Sequence, residues 1–488
     1  MGTLSENKPK CLISVNGTTV LQTISIAFPD ATLHIIGDYK IEVLQNYLEV
    51  VNPDFEYDII KANRHGTNAG IVEALNFIPN GEPFGISWSD LFYQSPILIP
   101  EEFGNYIGLT NSNNCRYAFE DGKFREIGTD INGVIGLFLF KDKSLLSALP
   151  NEGEFVRFLA RSNIELIPLV VDSVQEIGTL DKYLAFKSKF PISRFFNNIE
   201  VENEGVTKRA TDPKFQHLLE DEINWYRYME QHKFTGIPKV LSYEPLKLER
   251  IRGLHPYQIK GLNYNDKSSL IEKIINRLDE VHSFASSPVD RRDLYNVYVT
   301  KTLERVKPVV RILKLKPNEG FIVNGKKVET LTPEEPDRII DLFNKLSMIT
   351  IFSTIHGDPT FSNTFITESN EIKFIDPRGY FGNSKIFGDP RYDFAKLYYS
   401  TNGNYDQFNN GNFKIRMNFP EVEVKMVSSQ FEFKDEVFQE KFQKFHSDIK
   451  ILHALIWLSL SGYVLNDYDS MVAAYFMGLY YLDSVQND

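Results

Sequence analysis

The feature that most restricts how this chain can fold is a change of pattern near residue 190. Before it, residues 32–36, 57–60, 84–88, 134–140 and 166–171 are rich in β-branched and aromatic side chains and predict buried strands. Residues 41–50 and 69–77 separate some of them with helical periodicity. This alternation implies a Rossmann-like α/β domain on a mostly parallel sheet, whose ligands collect at the carboxyl ends of strands. After the change, residues 198–204 and 206–211 read as an antiparallel pair turning at Gly205, and 214–231 as a long helix. Two further strands, 238–243 and 247–251, are followed mostly by helices: 267–284, then 436–482, with a hairpin at 323–328 around Asn324-Gly325. That order describes an α+β domain with a helical C-terminal lobe. The boundary is placed at residues 186–192, giving domains 1–186 and 187–488.

At 488 residues the chain has room for two to four domains; the motifs below reduce that to two. Lys plus Arg is 53 and Asp plus Glu is 65, a net charge of −12 that opposes binding of nucleic acid or anionic membrane through bulk charge. The 42% hydrophobic and 24% charged content is that of a globular protein. Two cysteines, Cys11 and Cys115, exclude a disulfide scaffold or Cys-rich metal site and fit a reducing compartment. No apolar run approaches the ~20 residues that span a bilayer, and the opening MGTLSENKPK has no secretory core. The expectation is a cytoplasmic protein with no membrane insertion. Its oligomeric state cannot be read from the sequence.

Residues 355–397 contain IHGDPTFSNTFI, then IKFIDPRGYFG, then GDPRYDFAKL. Asp358 and Asn363 stand five apart on a loop, because Pro359 opposes helix continuation. Asp376 follows an apolar strand, so its carboxylate emerges at a strand end. A carboxylate beside a hydroxyl can accept its proton, while an amide oxygen and a second carboxylate can hold Mg2+ with phosphate oxygens. Phosphoryl transfer needs that set. Singly, such Asp-Gly and Asp-Pro pairs read as turns or N-caps; three in order point to chemistry.

His356-Gly-Asp-x-x-x-x-Asn363 followed by Ile375-Asp376 resembles the catalytic and metal-binding loops of the aminoglycoside phosphotransferase and choline kinase superfamily, which has a protein-kinase-like fold. The resemblance implies Asp358 as catalytic base, Asn363 and Asp376 as Mg2+ ligands and His356 as a brace for the loop. It implies that Asp389 and Asp393, in Gly388-Asp-Pro-Arg-Tyr-Asp393, anchor the next helix. ATP or GTP would be the phosphoryl donor and a small hydroxyl compound the acceptor. Lys208 supplies the strand lysine such a fold uses, with Glu222 as its helical partner and Glu220 as a substitute; alone, such residues also read as a solvated surface pair. No Gly-x-Gly-x-x-Gly precedes them, only residues 197–205. Residues 249–253 (ERIRG) would form the hinge that offers backbone groups to the base.

Arg378, in Pro377-Arg-Gly-Tyr380, would repel a cationic alcohol and could bind a carboxylate, phosphate or polyol. Pairing with Asp389 or Asp393 is the equally open alternative. The acceptor is therefore expected to be a neutral or anionic sugar or polyol-like compound.

Glu6-Asn-Lys-Pro-Lys10 and Val15-Asn-Gly17 resemble the opening of sugar-phosphate and phosphocholine nucleotidyltransferases. Ile35-Ile-Gly37, Gly66-Thr-Asn-Ala-Gly70, Ser87-Trp-Ser-Asp90, Gly133-Val-Ile-Gly136 and Glu176-Ile-Gly-Thr179 continue the resemblance over residues 1–185. It implies Lys10 on the triphosphate and Asp90 with Glu176 on a second Mg2+, with CTP or another NTP as substrate. Asp90 alone also reads as a strand-ending cap. That family opens with an apolar strand and Gly-rich loop, where only Met1-Gly2-Thr3-Leu4 stand here, and Glu176 occupies a position where aspartate is usual. Impaired nucleotidyl transfer is the expectation, since the Gly-rich backbone makes the anion nest. Together the resemblances imply a kinase in capsule or lipopolysaccharide precursor synthesis. The alternatives are a bifunctional kinase and nucleotidyltransferase making an NDP- or CDP-linked product, or a non-catalytic nucleotide- or sugar-binding protein.

Overall fold

Strand Gly133–Phe140 (GVIGLFLF) is apolar on both faces and sits inside a six-stranded sheet. The structure is a computed structural model that describes residues 3–63, 66–100, 103–189, 197–431 and 435–486. Its backbone divides into one unit of Met1–Pro191 with Asn466–Tyr468, and a second of Ile192–Leu465 with Asp469–Asp488. Of the expected boundary at 186–192, residues 190–192 lie outside the described residues.

In the first unit, Gly133–Phe140 pairs antiparallel with Phe84–Ser87, Tyr106–Thr110 and Ala118–Glu120, and the last of these continues to Lys123–Arg125. Among the described residues, only Ile167–Val170 joins that sheet in parallel, against Tyr106–Thr110. A second parallel pair, Leu33–Gly37 with Tyr57–Lys61, stands as its own two-stranded sheet, linked by helix Ile41–Val51. The expected mostly parallel sheet is thus corrected to a mixed, predominantly antiparallel one. Alternation of strands and helices identifies strands without saying which become neighbours. Tyr106–Thr110 (YIGLT), absent from the expected strands, takes the place between Gly133–Phe140 and Ile167–Val170.

The sheet's two faces build two cores by strict alternation. Phe138 and Phe140 pack with Ile107, Leu109 and Phe155 on one face; Leu137 and Leu139 pack with Tyr106 and Leu91 on the other. Gly136 takes φ +79° within the strand, between Val134 and Phe138, where the register against Tyr106–Thr110 shifts. The Trp88 indole fills the space a Cβ would take there, and Trp88 N–H donates to the Gly136 carbonyl at 3.1 Å. Cys11 and Cys115 are both buried free thiols, and burial pushes them up to about 12 and about 11.

The second unit opens with a four-stranded antiparallel sheet in the order Asn197–Val201, Gly205–Ala210, Leu246–Glu249, Val240–Tyr243. Gly205 begins the second strand instead of making the turn, which falls at residues 202–204. Helix Gln216–Gln231 buries Trp225, Tyr226 and Met229, and the Trp225 indole N–H donates to the Ile355 carbonyl at 2.8 Å. Helices Tyr264–Ser283, Lys301–Leu313, Pro390–Thr401 and His446–Tyr463 follow. The expected hairpin forms as Gly320–Val323 and Lys326–Glu329, with Asn324 and Gly325 both at positive φ, +48° and +81°. It extends into a second four-stranded sheet with Phe413–Asn418 and Glu421–Met426, a correction to the expectation of mostly helices there. FKIRMN and EVEVKM alternate polar and apolar residues, which is the period-two signal of half-buried strands.

Candidate active site

Strand Ile351–Thr354 ends just before His356, and the hairpin Thr364–Thr367/Ile372–Phe374 follows. Between them lies the Asp358–Asn363 loop. It is closed by Thr360 N–H to the Asp358 carbonyl at 2.8 Å and Asn363 N–H to the Thr360 carbonyl at 3.0 Å. Asn363 Nδ2 reaches back to the Asp358 carbonyl at 2.8 Å and to Asp358 Oδ2 at 3.2 Å. Ile375 N–H donates to the Asn363 carbonyl at 3.0 Å, so Asn363 and Asp376 flank the open end of one hairpin. Asp376 adopts φ +54°, where the chain leaves the sheet.

His356 is fully buried between Trp225 and Phe374. Its Nε2–H donates to the Ile375 carbonyl at 3.1 Å, and its Nδ1 accepts the Asp358 N–H at 3.2 Å. Burial lowers its pKa, consistent with a neutral ring that must accept at one nitrogen and donate at the other. Asp393, also fully buried, accepts from His356 N–H at 2.8 Å, Gly357 N–H at 2.7 Å and His282 Nε2 at 3.0 Å. Asp389 caps helix Pro390–Thr401 through Arg391 N–H at 3.0 Å, accepts Tyr298 Oη–H at 2.9 Å and binds the Arg391 guanidinium.

Lys208, buried on strand Gly205–Ala210, places Nζ 2.6 Å from Glu222 Oε1 and also pairs with Asp376. Burial disfavours its charge, but the Asp376 and Glu222 carboxylates outweigh that and hold its pKa above the usual lysine value. Of the two candidate helical partners, Glu222 is buried against Lys208 while Glu220 is exposed. Gly379 at φ +71° lets the segment after Asp376 cross helix Gln216–Gln231, since a Cβ there would overlap the Asp221 carbonyl.

Arg378 pairs with neither Asp389 nor Asp393. Its guanidinium donates to Tyr392 Oη at 3.0 Å and lies over the Tyr380 and Tyr392 rings. Sequence reasoning missed Lys396, whose Nζ sits 2.9 Å from Asp358 Oδ1. The available signal was spacing: Lys396 stands three residues after Asp393 on one helix, hence on the face that meets the Asp358–Asn363 loop. At residues 250–253 a cavity of about 460 Å³ is lined by Arg250, Ile251, Arg252 and Gly253 with Asn203 and Glu368.

In the first unit, Lys10 Nζ lies 2.8 Å from Asp90 Oδ2. Leu91–Tyr93 pairs with Val174–Glu176, and Ile177 N–H donates to the Asp90 carbonyl at 2.9 Å, bringing Glu176 to the same neighbourhood. The Glu176 carboxylate is engaged by Lys182 at 2.6 Å. Among the described residues, no three His, Cys, Asp or Glu side chains gather as a metal-binding group.

No protein-family model matches the chain, and no curated protein does. Among solved structures it is similar to the gentamicin complex of APH(2")-IIa, at 15% identity over 62% of this chain and 95% of that one, with TM-score 0.39. It is also similar to choline kinase LicA from Streptococcus pneumoniae, at 14% identity over 59% of this chain and 90% of that one, TM-score 0.35. HddC from Yersinia pseudotuberculosis is similar at 17% identity over 39% of this chain and 96% of that one, TM-score 0.33.

Proposed function

We propose that the second unit is a Mg2+-dependent kinase that transfers the γ-phosphate of ATP or GTP to a hydroxyl of a small metabolite. One observation carries this reading. Lys208, Glu222 and Asp376, drawn from a strand, a helix and a hairpin end, form one charge cluster, buried at Lys208 and Glu222 and half-buried at Asp376. Asp376 also adjoins the loop that holds Asp358 and Asn363. Structural ion pairs rarely need that assembly; phosphoryl transfer does.

In this reading Lys208 neutralises the nucleotide phosphates, and the cavity at residues 250–253 takes the base. Asp358 accepts the proton of the acceptor hydroxyl as its oxygen bonds to the γ-phosphorus and the bond to the leaving nucleoside diphosphate breaks. Lys396, beside Asp358, orients that carboxylate and offsets charge on the transferring group. Asn363 and Asp376 would hold Mg2+. The donor set fits, because Asn363 spends its Nδ2 on Asp358 and presents an amide oxygen beside a carboxylate. When bound, the ion would neutralise phosphate charge. A phosphorus-NMR screen of sugars, polyols and their phosphates with ATP or GTP is expected to show an acceptor-dependent phosphate ester and nucleoside diphosphate. Consumption of neither triphosphate with any acceptor would sink the reading.

A second activity is favoured by the Lys10–Asp90 contact beside Glu176 in the first unit. A bifunctional enzyme would release pyrophosphate from CTP or another NTP with a sugar phosphate, and Asp90→Asn is expected to abolish that release. Together these steps would suit precursor synthesis for a surface polysaccharide.

A further inference from the structure

Cations gather on the side of the Asp358 loop that faces helix Pro390–Thr401. Lys396 is committed to Asp358 at 2.9 Å. Arg378 is fixed beside the same loop: its N–H donates to the His356 carbonyl at 2.9 Å. A Cβ built on Gly357 would lie 2.8 Å from the Arg378 Cβ, so the two are in close contact. Lys301 is the third cation. It is half-buried, stands three residues after Tyr298, whose ring stacks on Tyr392, and directly follows a π-helical turn, Asn296–Thr300, a backbone form frequent at functional sites.

Among the described residues, no carboxylate forms an ion pair with Lys301 or Arg378. Arg305, nearby, is turned to the Gly462 carbonyl at 3.3 Å and the Tyr463 ring. Burial, then the charges of Arg378, Lys396 and Arg305, push Lys301 down to about 8 against the opposing effect of Tyr392. Burial raises Tyr392, yet Arg378, Lys396 and Lys301 outweigh it and bring that phenol down to about 8. Asp358 is the carboxylate whose charge reaches Arg378, and Lys396 already pairs with it; an anion placed among these cations offsets the repulsion that remains between them.

We propose that the acceptor is itself an anion: a hydroxy compound already bearing a phosphate or carboxylate, held by Lys301 and Arg378 while its free hydroxyl meets Asp358. This rests on the kinase reading and narrows its substrate. Arg378 offers a forked donor suited to either oxyanion, and Lys301 adds a point charge.

Inorganic phosphate is the probe, titrated calorimetrically into the full chain saturated with Mg2+ and a non-hydrolysable ATP or GTP analogue. The nucleotide site is then filled, and phosphate can report only on the acceptor side. One phosphate site is expected, weakened about tenfold or more in Lys301→Met and in Arg378→Gln. Lys301→Arg, which keeps the charge, is expected to retain binding and guards against a variant that fails to fold. No phosphate binding to the nucleotide-filled protein, or binding that Lys301→Met and Arg378→Gln both retain, overturns the proposal. Turnover confined to the uncharged members of a hydroxyl panel overturns it as well. Phosphate binding without turnover of any member, charged or not, overturns the kinase reading instead.

Discussion

Asp358→Asn is expected to lower phosphoryl transfer by about 10²–10⁴-fold, the usual contribution of a positioned general base, while nucleotide affinity stays close to native. The amide cannot take the acceptor's proton, and Lys396 loses the carboxylate it now contacts at 2.9 Å. The loop itself should persist, because Asn363 Nδ2 also holds the backbone carbonyl of residue 358 at 2.8 Å. Nucleotide is gripped elsewhere in this account, by Lys208 with its partners Glu222 and Asp376. The comparison is therefore turnover against equilibrium binding of a non-hydrolysable analogue. Unchanged turnover would remove Asp358 from its role. Loss of analogue binding would show that the loop had collapsed.

Asp393→Ala is expected to have the largest effect on stability. The carboxylate is completely buried and receives two backbone N–H groups, from His356 and Gly357, together with the His282 ring. Truncation leaves those donors buried without an acceptor, at about 1–3 kcal/mol for each such group. A total loss of about 3–5 kcal/mol follows from breaking a buried charged network at one partner. The urea midpoint should fall accordingly, with turnover falling too because Gly357 directly precedes Asp358. A native urea midpoint would mean that the loop is held by Trp225 and the hydrophobic contacts around His356 alone.

These predictions separate what was legible from what was not. Asp358, Asn363 and Asp376 stand out in sequence because polar groups on one loop and at the next strand end keep a fixed local spacing. Lys208 and Glu222 were legible as a strand lysine followed by a helical glutamate. The choice of Glu222 over Glu220 depended on which helix face meets the sheet. Lys396 and Lys301 carried little local signal, since their importance arises from proximity to Asp358 and Arg378. The fate of Arg378 was likewise undecidable from order alone. Asp389 and Asp393 are near in sequence, but Arg391 occupies the first and the backbone of residues 356–357 the second.

The same division holds for the fold. By itself, the sequence determined where most strands and helices lie, because hydrophobic periodicity and turn residues are local properties: GVIGLFLF is buried on both faces, and Asn324-Gly325 turns a hairpin. It also determined the order in which Lys208, Glu222, Asp358, Asn363 and Asp376 appear. Only the tertiary structure decided that the first sheet is mostly antiparallel, with Tyr106–Thr110 between Gly133–Phe140 and Ile167–Val170. It alone decided that Lys396 meets Asp358 and that Arg378 meets the Tyr392 ring. Strand neighbours and electrostatic fields are set by distances across the fold, and those distances depend on how all the segments pack at once.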